Sequence, residues 1–268
     1  MRVYIMTCSR LGTAAAVLPE LVRAEGVEIA GIVLNRVLLN QEQQRRMRSR
    51  KLRKTIAIGP IGALNGIRMR RWFASASARL GARRLDEQAR ELGIPMLEVD
   101  NLQVPELKSF ISSLQCELGL SLGNGYIPKS VFSLTPLGML NLHHEVLPDF
   151  RGAQSVIWQI YEGSETSGFT IHRIDAGIDT GPIVLVERVP IAFGDSLEET
   201  VTTTYAELIR LSGIALARIL RDRSLIEGAA PQPGGRHYTT PSGLQFLRML
   251  RNHARLRNHA RLRKQSRP

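Results

Sequence analysis

The segment Asn141-Leu-His-His-Glu-Val-Leu-Pro148 ends an apolar run, and Gly177-Ile-Asp-Thr-Gly-Pro182 follows one loop later. Asn141 and His143 lie two residues apart in a short strand-like stretch, and side chains along a strand alternate between its faces. We therefore expect both side chains to enter one pocket. Apolar residues at helical spacing between Ala153 and Ile160 follow, so the local pattern predicts strand, turn and helix. Polar residues at the end of such a strand are typical of ligand sites in open α/β sheets.

Asp179 lies in the second segment, with Gly177 and Gly181 on either side. Glycines permit a tight loop that can carry a carboxylate into a cleft, although such an Asp can also serve the turn itself. An amide, an imidazole and a carboxylate suit acyl transfer to an amine. Asn141 and a protonated His143 can stabilise an oxyanion, and removing one such donor costs roughly 100- to 1,000-fold in rate. We expect Asp179 to orient His143, raise its pKa and relay the proton that the amine loses.

These segments resemble the formyltransferase family that uses N10-formyltetrahydrofolate, which includes glycinamide ribonucleotide transformylase, methionyl-tRNA formyltransferase and the sugar N-formyltransferases. The matching pattern is Asn141-Leu-His143, Leu147-Pro-Asp-Phe-Arg-Gly152, Gly168-Phe-Thr170 and Asp179-Thr-Gly-Pro182. The resemblance implies an α/β, Rossmann-like formyltransferase fold, with a mostly parallel sheet flanked by helices and a small helical C-terminal extension. It also implies that Asn141, His143 and Asp179 are the catalytic residues.

The resemblance further implies where the formyl donor binds. The segment Ser121 to Pro128 is similar to the family's loop beneath the donor, and Arg173 to Ile178 is similar to the loop that covers its pterin through backbone contacts. The donor-binding residues expected on this basis are Leu122, Gly123, Asn124, Arg173, Ile174, Ala176, Gly177 and Ile178.

The sequence departs from the family pattern next to His143. Where the family often has His-x-Ser-Leu-Leu-Pro, this chain has His143-His-Glu-Val-Leu-Pro148, a change that bears on acceptor choice more than on chemistry. Alternation puts His144 on the opposite strand face, which favours a structural role over acceptor binding. Glu145 is either an acceptor contact or a solvated turn carboxylate.

The length of 268 residues and the hydrophobic content of 43% predict one large or two small domains with a substantial core. We expect a catalytic domain over residues 1–200 with a basic insertion at 36–84, a helical extension over 201–240, and a basic, helical or disordered tail over 241–268. Asp195 or Ser196 is expected to cap a helix that begins beside them. The remaining chain is too short for the C-terminal barrel domain of the tRNA-directed members of the family.

Other features bear on location and metals. The sequence has no run of 18 apolar residues, and its first apolar run is too brief for a signal peptide. Cys8 and Cys116 provide neither a disulfide framework nor a zinc site, so we expect no metal. The predicted location is the cytoplasm, including the inner face of the membrane.

The net charge of +12 is concentrated between Arg45 and Arg84 and in the tail from Arg248 to Arg267. Basic residues beside the apolar run that ends at Trp72-Phe73 are typical of an element that binds an anionic membrane surface, so residues 45–73 and the tail are candidates for that role. The glycines and Pro60 predict an interrupted helix. Alternatively, the insertion contacts an anionic acceptor, or the charge is a solvated face. Nucleic acid is the least favoured partner, because aromatic residues do not interleave with the basic ones.

The function predicted is transfer of a formyl group from N10-formyltetrahydrofolate to the amine of a small or carrier-linked acceptor, with a nucleotide-linked amino sugar as the leading candidate. The alternatives are a formyltetrahydrofolate hydrolase that releases formate, an activity like that of methionyl-tRNA formyltransferase, and a non-catalytic protein that binds membrane surfaces.

Overall fold

The computed structural model describes residues 1–36, 41–152 and 154–265. The strands are β1 (Arg2–Thr7), β2 (Glu28–Asn35), β3 (Met96–Val99), β4 (Leu118–Ser121), β5 (Met139–His143), β6 (Arg151–Gly152), β7 (Thr166–Arg173), β8 (Ile183–Pro190) and β9 (His237–Tyr238). The helices are α1 (Thr13–Arg23), α2 (Gln41–Arg79), α3 (Leu85–Glu91), α4 (Pro105–Ser113), α5 (Lys129–Phe132), α6 (Ile157–Glu162), α7 (Leu197–Arg221), α8 (Arg223–Glu227) and α9 (Gly243–Gln265).

Seven strands form one sheet in the order β3-β2-β1-β4-β5-β7-β8. The first five pair in parallel, and β7 and β8 add to them as antiparallel strands. Helices cover both faces, because parallel strands are joined by crossovers that place a helix against the sheet. This arrangement confirms the predicted α/β fold with a mostly parallel sheet.

Both faces of the sheet are buried, as β1 illustrates. Val3 and Ile5 belong to the larger core cluster, whereas Tyr4 and Met6 belong to a second cluster on the other face. A strand buried on both sides reads as a continuous apolar run, and Val3-Tyr-Ile-Met6 is such a run.

The direction of winding reverses between β1 and β4, since β2 and β3 lie on one side of β1 and β4 and β5 on the other. Open parallel sheets bind ligands beyond the carboxyl ends of their strands at such a point. Here that edge carries the loop after β4 and the last residues of β5, so the fold places the predicted donor loop beside Asn141 and His143.

The basic insertion forms α2, which is interrupted at Gly59 by a non-helical backbone (φ 72°, ψ 170°). The predicted interruption is therefore confirmed, because glycine tolerates the positive φ that breaks the helix. The part that follows buries Met69, Trp72 and Ala76. Residues 37–40 and the side chains of Arg45, Arg46, Arg48, Arg50, Lys51 and Lys54 lie outside the described residues.

Helix α7 begins at the predicted cap, where Ser196 Oγ accepts a hydrogen bond from the backbone N–H of Glu199 at 3.0 Å. The expected boundary after residue 200 falls inside this helix, which is buried on both sides of it, at Leu197 and at Val201. The described part of the tail is helical as α9, and residues 266–268 lie outside the description. Among the described helices, none is long and apolar enough to cross a bilayer.

Candidate active site

Strand β5 presents Asn141 and His143 on one face. Leu140 and Leu142 belong to the larger core cluster, and the alternating residues Asn141 and His143 line a cavity on the other side. The sequence therefore predicted their shared face correctly, because the apolar residues between them fix the orientation of the strand.

Asp179 reaches the same cavity from the loop between β7 and β8. Its backbone has a positive φ of 53°, and its Oδ2 accepts a hydrogen bond from the backbone N–H of Gly152 at 3.0 Å. The Gln232 side-chain amide donates to the carbonyl oxygens of Asp179 and Gly181 at 3.0 and 2.7 Å. The loop is thus held from the C-terminal part of the chain, a contact that local sequence patterns do not reveal.

His172 joins the three predicted residues and was not among them. It lies directly opposite Asn141 in the antiparallel pairing of β5 with β7. Its Nδ1 donates to the Arg173 carbonyl at 2.9 Å, so its Nε2 accepts from Asn141 Nδ2 at 3.1 Å. The signal in the sequence is its position in an alternating strand, but only the strand pairing shows which residue it faces.

The Asp179 carboxylate stands between two imidazoles. Its Oδ1 is 3.8 Å from His143 Nδ1 and 3.8 Å from His172 Nε2. On its other side, His143 Nε2 lies 3.3 Å from the carbonyl oxygen of Phe150, which can only accept, so Nε2 carries the hydrogen. In the neutral ring, Nδ1 is then free to take up a proton next to the carboxylate.

Burial is the largest influence on the pKa of His143 and lowers it below the ordinary value. Asp179 and the Phe150 carbonyl act in the opposite direction but do not overcome burial. The expectation of a raised pKa and a protonated His143 is therefore wrong in its net direction. Burial also lowers the pKa of His172, so both rings are neutral near pH 7.

The cavity has a volume of about 600 Å³. Of the predicted donor-binding residues, Gly123, Asn124, Ile174, Gly177 and Ile178 line it. Three do not: Leu122 is buried in the core, Ala176 is outside the lining, and the Arg173 guanidinium donates to the carbonyl of Leu137 at 2.9 Å.

The lining fits the formyl donor that the resemblance implies. Ile127 and Ile174 supply apolar surface for a flat ring system, and the glycines of both loops leave backbone groups accessible. Asn124 Oδ1 is buried without a hydrogen-bond partner in the described chain, so it is free to accept from a ligand N–H. No group of His, Cys, Asp and Glu with metal-site geometry occurs in the part of the chain that is described.

His144 and Glu145 also line the cavity. His144 Nδ1 and Nε2 lie 3.2 Å from the Tyr205 hydroxyl and from Ser212 Oγ, and burial lowers the pKa of His144 to about 3. Glu145 is 3% exposed, receives a hydrogen bond from the Gln159 amide, and has its pKa raised to about 8, chiefly by burial. The alternative that Glu145 is a solvated turn carboxylate is therefore wrong, because its side chain is buried.

Comparison with known proteins places these residues in a wider context. A family model described as formyl transferase matches residues 84–210. A methionyl-tRNA formyltransferase from Sorangium cellulosum is 32% identical over 161 residues, which make up 59% of this chain and 49% of that protein. Another from Acidithiobacillus ferrooxidans is 32% identical over 150 residues, or 56% and 47% of the two chains. The chain thus spans about half the length of the curated relatives it matches.

Solved structures support the fold. Glycinamide ribonucleotide transformylase 1 from Symbiobacterium toebii superposes with a TM-score of 0.56 at 19% identity and covers 87% of this chain and 94% of that one. Phosphoribosylglycinamide formyltransferase from Anaplasma phagocytophilum gives 0.56 at 16% identity, with 89% and 99% covered. At these identities the likeness is one of fold.

Proposed function

We propose that this chain is a member of the formyl transferase family, whose model matches residues 84–210, and that it transfers a formyl group from N10-formyltetrahydrofolate to an amine. One observation carries the proposal. Asn141 and His143 on β5 and Asp179 on the loop between β7 and β8 line a single cavity, in which Asp179 Oδ1 is 3.8 Å from His143 Nδ1.

The donor, when bound, supplies the formyl carbonyl that the amine attacks. Asn141 has two N–H groups on its side chain and gives one to His172, so the other remains to stabilise negative charge on a carbonyl oxygen. Neutral His143 would take up at Nδ1 the proton that the amine loses, and a proton would pass to the N10 nitrogen as its bond to the formyl carbon breaks and tetrahydrofolate leaves. Asp179 then stabilises the imidazolium, since its Oδ1 faces that nitrogen.

The acceptor that we propose is a small or carrier-linked amine, and a nucleotide-linked amino sugar is the specific candidate. Tyr205 and Glu145 line the cavity and offer a hydroxyl and a carboxyl group to a polar substrate. The second candidate is the initiator tRNA, supported by the 32% identity to methionyl-tRNA formyltransferases over about half of those proteins.

The test is an assay with N10-formyltetrahydrofolate and, separately, nucleoside-diphosphate amino sugars, aminoacylated initiator tRNA and no amine. We expect tetrahydrofolate to form only with an amine present. Asp179→Asn should lower turnover by roughly 100-fold or more, because the imidazolium then forms without its counter-charge. Asp195→Asn, which alters an exposed carboxylate away from the cavity, is the matched control.

Calorimetric titration with the stable 5-formyl isomer separates binding from turnover. We expect saturable binding by the wild type and by Asp179→Asn. Failure of the folded wild type to bind would contradict the proposal, and formate release at the same rate with and without amines would establish the hydrolase instead.

A further inference from the structure

Helices α2 and α9 present a joint surface that combines aliphatic and basic side chains, and we propose that it docks on an anionic lipid bilayer. This surface, the α2–α9 face, contains the aliphatic residues Ile61, Leu64, Ile67, Leu244 and Leu247. Its basic residues are Arg68, Arg70, Arg71 and Arg251, all exposed.

The five aliphatic side chains form one patch. Gly243, which precedes Leu244, lies so close to Ile61 that an added Cβ would be 3.2 Å from the Ile61 Cβ. Ile61, Leu64 and Ile67 follow one another at intervals of three on α2, and Leu244 and Leu247 do the same on α9, so each is the neighbour of the next. Leu244 is 81% exposed and Ile61 63%, which is unusual for neighbouring large aliphatics.

The patch lies beside the packed face of α2, which is the face that the helix turns inward after Gly59. Asn65, Met69 and Trp72 are buried at helical spacing, and Trp72 contacts Phe246 of α9 with ring centroids 6.5 Å apart. The outward aliphatics of α2 stay largely exposed in the described chain, since Ile61 is 63% exposed and Leu64 59%. A helix that is apolar on its outer surface as well indicates a second, external partner.

The charge around the patch has one sign. Residues 43–79 contain eleven Lys and Arg and no acidic residue, and α9 contains seven and none. Among the described residues, no carboxylate pairs with Arg68, Arg70 or Arg71. Such cations around aliphatic side chains fit acyl chains beneath anionic headgroups, because each cation is attracted to the negative charge of the headgroups.

The end of α9 does not belong to the face. Arg257 and Arg261 pair with Asp195, and Arg263 pairs with Glu165. These cations near the end of the tail therefore hold α9 on the protein. The membrane role predicted for the tail is restricted to the first turns of α9.

Lipid fits this face better than the other macromolecules. Nucleic acid is bound through phosphates and stacked bases and does not require five exposed aliphatic side chains. In a dimer formed through this face, the arginines of the two copies would lie close together and would repel one another. Both remain outcomes of the test.

Docking would place the cavity close to the bilayer. Thr240 lines the cavity and lies 3.0 Å from the Cβ position of Gly66 on α2, and Phe73 of α2 also lines it. If the proposed function holds, an acceptor amine carried on a lipid could reach the site from this side. Docking itself does not depend on that function.

The experiment is co-sedimentation of the full chain with phosphatidylcholine vesicles that contain phosphatidylglycerol. We expect binding that increases with the anionic fraction and weakens with salt. The triple variant Arg68→Gln, Arg70→Gln, Arg71→Gln should bind on the order of 100-fold more weakly. The variant Ile61→Ser, Leu64→Ser, Ile67→Ser should lose roughly tenfold or more.

Two matched controls remove the same groups elsewhere. The control for the charge variant is the triple variant Arg23→Gln, Arg90→Gln, Arg221→Gln, and the control for the aliphatic variant is Val22→Ser, Leu92→Ser, Leu225→Ser. Both alter exposed positions on other surfaces and should bind vesicles like the wild type. Equal losses in the control variants would overturn the proposal. Binding of duplex RNA by a wild type that does not bind vesicles would also overturn it. The same holds if the wild type binds no vesicles but forms a dimer in sedimentation velocity that only the aliphatic variant disrupts.

Discussion

His143 shows how a single residue's surroundings decide its role. A neighbouring carboxylate alone would raise the pKa of an imidazole, but burial lowers it further than Asp179 raises it. The neutral ring has its hydrogen on Nε2, directed to Phe150, and an open Nδ1 toward Asp179. The residue is therefore suited to accept a proton near neutral pH rather than to donate one.

We expect the His143 ring resonance in an NMR titration to change with a midpoint below pH 6.5. Asp179→Asn should move that midpoint lower still, because it removes a cause that raises the pKa. Asp195→Asn should leave it unchanged. A midpoint above 6.5 in the wild type would mean that the carboxylate outweighs burial and that His143 is protonated at rest.

At the scale of an element, the repeated hexamer in α9 shows that identical sequence can occupy different environments. Arg251-Asn-His-Ala-Arg-Leu256 is followed at once by the same six residues ending at Leu262. His253 is buried and lies 2.7 Å from Thr200 Oγ1, whereas His259 is exposed. Six residues do not complete two helical turns, so the second copy is rotated away from the face of the first.

Leu256 and Leu262 provide a matched pair for measuring this difference. Leu256 is 3% exposed and Leu262 63%. Leu256→Ala should lower the free energy of unfolding by about 2–5 kcal/mol, since it leaves a cavity, and Leu262→Ala should change it by less than about 0.5 kcal/mol. Urea denaturation measures both, and equal effects would show that α9 does not pack as described.

At the scale of the whole molecule, buried titratable groups link stability to pH. The pKa of Glu145 is raised to about 8, so its carboxyl group stays neutral in the folded protein while it ionises near 4.5 when unfolded. The contribution of Glu145 to the free energy of unfolding is fully present below pH 4.5 and is lost as pH rises through 8. His144, with its pKa lowered to about 3, acts in the opposite sense: its contribution is present above pH 6.5 and is lost as pH falls.

Glu145→Gln isolates the first of these effects, because it keeps the shape and removes the charge. The unfolding free energy of the wild type, relative to this variant, should fall by roughly 2 to 5 kcal/mol between pH 4.5 and pH 9. Chemical denaturation at several pH values measures the difference. A constant difference would mean that Glu145 ionises as freely in the folded state as in water.

Features that depend on neighbouring residues could be predicted from the amino-acid sequence. The alternation of side chains predicted that Asn141 and His143 share one face of β5. Ser196 predicted the start of α7, and Gly59 and Pro60 predicted the interruption of α2. The family pattern that begins at Asn141 predicted the fold. Contacts between residues far apart in the chain could be identified from the folded structure alone. Strand pairing brought His172 to Asn141, the C-terminal segment brought Gln232 to the Asp179 loop, and burial reversed the expected pKa shift of His143. Burial and strand partners are set by residues far apart in the chain, whereas periodicity and capping are set by neighbours.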